Sequence, residues 1–114
     1  MSTEMIDFKK ITRKIIDLLR NQKLYRVFVF GSYAYGKAHD ESDVDLLVIL
    51  DKKGISSNYR EILENKKTVS VHLRELRKTV PADLLVYTRD EWTALKNSGS
   101  SFIRQIEKEG IRLI

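Results

Sequence analysis

Cysteine is absent from this 114-residue chain. Without thiols there is no disulfide framework, no thiolate zinc site, no iron–sulfur cluster and no cysteine nucleophile. Long apolar runs are missing too. The strongest, Val44 to Leu50, is interrupted by Asp45 and falls far short of the roughly 20 residues a membrane helix needs. The segment Met1 to Asp7 carries acids and no apolar core, unlike a secretory leader, so the expectation is a cytoplasmic protein. Proline occurs once, at Pro81, and there is no repeat or low-complexity linker. The length is that of a single domain, 1–114, able to bury one core.

Charge is plentiful and unevenly spread. The net charge is +5 with 21 bases and 16 acids. Residues 1–26 hold seven bases and three acids, whereas residues 27–56 hold three and five. Residues 57–82 are basic again, with six bases against three acids. An acidic island between basic segments suits a divalent metal and a polyphosphate better than a nucleic-acid groove, which shows a basic stripe interleaved with aromatics. On their own, the basic runs read as solvated helix faces.

The apolar periodicity predicts a helix over Thr3–Asn21, with Ile11, Ile15 and Leu18/Leu19 on one stripe and Thr3 as cap. Tyr25–Phe30 is aromatic and β-branched and reads as a buried strand stopped by Gly31. Gly31–Gly36 is a turn or short helix, 37–42 a polar loop, Val44–Leu50 a strand and Asp51–Gly54 a turn. Ser57–Lys78 reads as one long helix capped by Ser57 and ended by Pro81. A strand over Leu84–Tyr87, helices over Asp90–Lys96 and Ser100–Glu109, a stop at Gly110 and an edge strand over Ile111–Ile114 follow. The order implies an α/β (α+β) domain with a small mixed sheet: parallel across the long crossover, antiparallel across 37–43.

Asp43 and Asp45 stand two apart where a strand begins, so the pleat directs both carboxylates to one face. Like charges held that close favour a bound cation, and magnesium takes hard oxygen ligands together with substrate phosphate. Asp83 opens the third strand in the same way; alone it reads as a turn acid after Pro81. If that strand lies beside the second, three carboxylates converge, a set able to hold two metal ions about 3.5–4 Å apart for in-line attack on phosphorus. Gly31 allows a sharp turn and close approach of a ligand, and Ser32 with the following amides makes an anion site. Of the remaining polar residues, His39, His72, Lys52, Lys53, Lys66 and Lys67 read as solvated. Trp92 and Phe102 read as core or interface anchors, and Tyr33 and Tyr35 as neighbours of the phosphate site.

Gly-Ser, ten residues, Asp-x-Asp, then a separate Asp on a later strand resembles the nucleotidyltransferase fold of the DNA polymerase beta superfamily. The resemblance is closest to its smallest members, the minimal nucleotidyltransferase (MNT) domains. It covers most of the chain, including Asp83–Trp92 and Ser98–Gly110. It implies that Asp43, Asp45 and Asp83 bind two Mg²⁺ ions and carry catalysis, and that Gly31 and Ser32 hold the phosphates of ATP or another NTP. Several members have Arg where this chain has Tyr35, which leaves one phosphate-side or structural contact unassigned; Lys37 is a candidate replacement.

With 114 residues there is no room for an acceptor-gripping domain, so the acceptor surface is expected from another chain, from a homodimer or from a large substrate. Minimal members are typically paired with an all-helical HEPN protein, and in some pairs the nucleotidyltransferase is the antitoxin that adenylylates it. The resemblance therefore implies transfer of AMP from ATP to a hydroxyl of such a partner; the short apolar runs and the charge pattern lead us to expect neither a membrane nor a nucleic acid as partner. Three alternatives remain: a noncatalytic module that neutralises its partner by contact, nucleotidyl transfer to a small molecule, and nucleic-acid binding through the basic helices, which predicts a steep salt dependence.

Overall fold

The computed structural model describes residues 3–36 and 43–114. In order these form α1 (Thr3–Leu19), β1 (Leu24–Phe30), β2 (Val44–Leu50), α2 (Tyr59–Ser70), a 3-10 turn (Val71–Leu73), α3 (Arg74–Arg77), β3 (Ala82–Thr88), α4 (Arg89–Asn97), α5 (Ser101–Glu109) and β4 (Ile111–Arg112). The strands make one sheet in the order β3-β2-β1-β4. β1 pairs antiparallel with β2 and with β4, and β2 pairs parallel with β3. The edge continues past β4, where the Leu113 N–H donates to the Val27 carbonyl at 2.7 Å.

Alternation along the strands sorts the apolar side chains into two layers. Val27, Val29, Leu46, Val48 and Leu84 pack with Ile15 and Leu19 of α1 and with Val69, Leu73 and Leu76 on the same side. Phe28, Leu47, Ile49 and Leu85 pack on the other side with Trp92 of α4 and Ile103 and Ile106 of α5. β2 is buried on both faces, which explains its almost unbroken apolar run. A register irregularity between Leu24 and Arg26 breaks the alternation in β1. Leu24 joins the α1 side, while Tyr25 joins Phe28 and Phe30 on the other. There the Arg26 and Arg89 guanidinium groups lie over the Tyr25 ring, 4.4 and 4.3 Å from its centre, and Arg89 also pairs with Asp51 at 3.0 Å.

The single helix expected over Ser57–Lys78 is three pieces. The Thr68 hydroxyl donates back to the Asn65 carbonyl at 2.7 Å and the Ser70 hydroxyl to the Lys67 carbonyl at 3.4 Å, contacts that bend a helix, and the next three residues tighten into the 3-10 turn. The cap is Asn58, not Ser57: the Glu61 N–H donates to Asn58 Oδ1 at 2.9 Å, while Ser57 donates from N–H and hydroxyl to the Glu61 carboxylate. Lys52 is not simply solvated either. Its ammonium donates at 3.0 Å to buried Asn65, whose amide donates to Ser56 and so ties the 51–58 loop to α2. Gly110 ends α5 in extended backbone (φ −68°, ψ 155°). A Cβ there would stand 2.5 Å from the Ile106 carbonyl oxygen, so close approach, not a left-handed turn, calls for glycine.

Candidate active site

Asp45 is the second residue of β2, on the face that carries Leu47 and Ile49 further along. β1 and β3 bring its neighbours. Phe30 stands opposite Asp45 on β1, and Asp83 stands opposite it on β3. Because β2 and β3 run parallel in register, Asp45 and Asp83 project to the same side of the sheet from adjacent strands, about 4.8 Å apart along the hydrogen-bonding direction. The Val44 N–H, donating to the Pro81 carbonyl at 3.0 Å, locks that end of the pairing. Asp45 is half-buried, whereas Asp43 and Asp83 are exposed.

The electrostatics follow from this placement. The Asp45 carboxyl is pushed above its ordinary value, first by burial, then by the charge of Asp83, then by that of Asp43. Asp43 therefore lies near enough to be felt. Among the described residues no three His, Cys, Asp or Glu side chains already converge as a metal cage. The donor set does fit a hard cation: it is all carboxylate oxygen, at or beside the first residues of two rigid strands, and among the described residues no salt bridge reaches Asp43, Asp45 or Asp83.

Gly31 has a role that sequence alone hides. Its φ is +72°, and a Cβ there would overlap the Asp45 carboxylate. The glycine thus makes room for the acid as well as for the turn. Gly31–Gly36 is a chain of turns, not a helix, closed by the Tyr35 N–H donating to the Gly31 carbonyl at 2.9 Å. Ser32 lies half-buried beside Gly31 at the start of it. Tyr33 turns inward: its ring stacks on Phe8 of α1 at 5.4 Å and joins the core on that side. Lys37 and His39 lie outside the described residues. His72 is half-buried in the 3-10 turn, and Trp92 is buried and stacked on Phe28.

Phe102 emerges as a neighbour of the site. It is 39% exposed and meets Phe30 edge-to-face at 5.4 Å, so an aromatic edge stands beside the residue paired with Asp45. Its sequence signal is weak, because Phe at the start of an amphipathic helix reads as packing. The opposite end of the sheet holds a cavity of about 400 Å³ lined by Leu19, Lys23, Leu24, Leu50, Lys52 and Thr68, remote from the carboxylates.

A mixed sheet thus carries Asp43 and Asp45 where β2 begins and Asp83 on the adjacent strand, with the Gly31–Ser32 turn against Asp45. Residues 13–114 match the family model described as polymerase beta, nucleotidyltransferase, and the chain belongs to that family. It is 29% identical over 111 residues to "Putative protein adenylyltransferase MJ0141" of Methanocaldococcus jannaschii, covering 96% of this chain and 99% of the relative. A second protein of that name and organism, MJ1379, is 29% identical over 93 residues, covering 69% of this chain and 93% of the relative. Two solved structures share the fold. A toxin–antitoxin with AMP-PNP superposes with a TM-score of 0.55 at 24% identity, over 90% of this chain and 72% of that one. A doubly substituted MntA-HpeT toxin–antitoxin gives 0.52 at 22% identity, over 90% and 71%.

Proposed function

We propose that this nucleotidyltransferase moves AMP from ATP to a hydroxyl on a HEPN-type helical partner and acts as the antitoxin of that pair. The observation that carries the reading is the register of Asp45 with Asp83, with Asp43 close by, on a face edged by the Gly31–Ser32 turn. Asp43, Asp45 and Asp83 are the carboxylates that would hold Mg²⁺, and Gly31 and Ser32 would receive the triphosphate. Bound there, Mg²⁺ would offset the charge of the phosphates and lower the pKa of the attacking hydroxyl. The acceptor oxygen bonds to the α-phosphorus as the bond to the bridging oxygen breaks. Pyrophosphate leaves with that electron pair, and Asp83, exposed on the strand beside Asp45, would take the hydroxyl proton. A protein acceptor is supported by the naming of both Methanocaldococcus relatives and by the toxin–antitoxin assemblies that share the fold.

The test is the intact mass of the protein encoded beside this one, after incubation with ATP, Mg²⁺ and this chain. A gain of one AMP is expected, and the Asp43→Asn/Asp45→Asn double variant should slow it by more than about 100-fold. An unchanged mass with all four NTPs would defeat the protein-acceptor reading.

A further inference from the structure

The apolar side of α2 is wider than the fold uses. Val69 turns inward with buried Asn65. Beside them Tyr59 (73% exposed), Ile62 (46%) and Leu63 (46%) continue the apolar side outward as a stripe, and Ile55 (64%) is exposed in the preceding loop. The spacing 59, 62/63 is helical, so these three side chains make one surface and not scattered contacts. At 100° per residue, Lys66 falls within this stripe and Lys67 and Arg60 along its border, while Glu61 lies on the opposite flank, where it serves the cap. Tyr59, Arg60, Leu63, Glu64 and Lys67 enclose a shallow depression.

Resting on the protein-acceptor reading above, we infer that this stripe is the docking surface for an amphipathic helix of the partner, apolar on one face and edged by acids. Charge decides between occupants. A second copy would set Arg60, Lys66 and Lys67 against themselves with Glu64 alone to offset the three, in a chain of net charge +5, which opposes self-association. An acid-edged helix buries the same apolar side chains and gains from the same three bases. Position agrees. α2 lies along β3 on the side of the sheet away from the carboxylates, and its first residues follow the end of β2 remote from them. A helix seated there leaves the acids open, and only an acceptor large enough to reach around the β3 edge can be held by it. That is the geometry of a macromolecular acceptor, gripped at one place and modified at another.

The experiment measures the affinity of the full chain for the protein encoded beside it, at low and high salt, by calorimetry. Leu63→Asp and Tyr59→Glu alter exposed side chains and should leave the melting temperature near wild type while weakening the complex at least tenfold. Lys67→Glu should weaken it severalfold and flatten its salt dependence. AMP transfer by wild type, read in the same tubes, reports separately on the function. Transfer with affinity untouched by Leu63→Asp and Tyr59→Glu overturns the docking surface and leaves the function standing. Loss of affinity in these variants with no transfer by wild type does the reverse. Absence of any complex, or a wild-type homodimer that Leu63→Asp dissociates, also overturns the proposal, the latter by making a second copy the occupant.

Discussion

A half-buried carboxylate beside two others works against the fold that holds it. Asp45 binds its proton more tightly in the folded chain than in the unfolded one, because burial and the charges of Asp83 and Asp43 raise its pKa above 3.8. The native state then carries more protons, so its stability falls as pH rises from 3.8 through the raised value, and stays lower above it. Asp45→Asn should therefore match wild type in strongly acidic solution and exceed it at neutral pH. Without metal, the variant should melt above wild type at neutral pH and together with it in acid. Mg²⁺ should reverse the order, raising the melting temperature of wild type and leaving the variant unmoved. A scan of both proteins by calorimetry, with and without Mg²⁺, checks this. Gly31 belongs to the same scale. Gly31→Ala must place a side chain at φ +72° and against the Asp45 carboxylate, a cost of roughly 1–3 kcal/mol in urea unfolding. Asp43, Asp45, Gly31 and Ser32 stood out as candidates by residue type and spacing, and Asp83 only through the family resemblance. That Gly31 is required by Asp45 was not legible, because the contact spans two strands.

Elements were legible where the signal is local. α1, β2 and α5 follow from stripes, β-branched runs and caps within their own segments. The bulge near Tyr25 could not be read, since register is a property of a pair of strands and the flip of Tyr25 shows only against β2. The break at Val71 was hidden for a related reason. Val69, Leu73 and Leu76 keep helical spacing through it, while the bend comes from hydroxyls donating to the preceding turn. At β3, Thr88 performs three tasks from a buried position. It ends the strand, caps α4 reciprocally with Glu91, and donates to the Gly54 carbonyl at 2.6 Å. Thr88→Ala removes both contacts of the hydroxyl and leaves the N–H of Glu91 and the Gly54 carbonyl without it. We expect a loss of about 1–2 kcal/mol in denaturant unfolding, with little change in the slope.

Across the whole molecule, β2 ties both layers together and places its own first acid where the apolar layers end. One face of the sheet, covered by α4 and α5, carries the carboxylates and the Phe30–Phe102 edge. The other, covered by α1 to α3, carries the basic-edged apolar stripe of α2. The charge pattern in the sequence suited a metal with a polyphosphate and left the basic runs as solvated helix faces; only the fold puts the strand acids and the basic-edged stripe of α2 on opposite sides of the sheet. Group transfer at Asp43, Asp45 and Asp83 is the central proposal, and ATP labelled in turn on its α- and γ-phosphorus tests it most directly. Label on the neighbouring protein from α-labelled ATP alone, lost in the Asp43→Asn/Asp45→Asn variant, is the result this account predicts. Label from γ-labelled ATP, or α-label that survives in that variant, would contradict it.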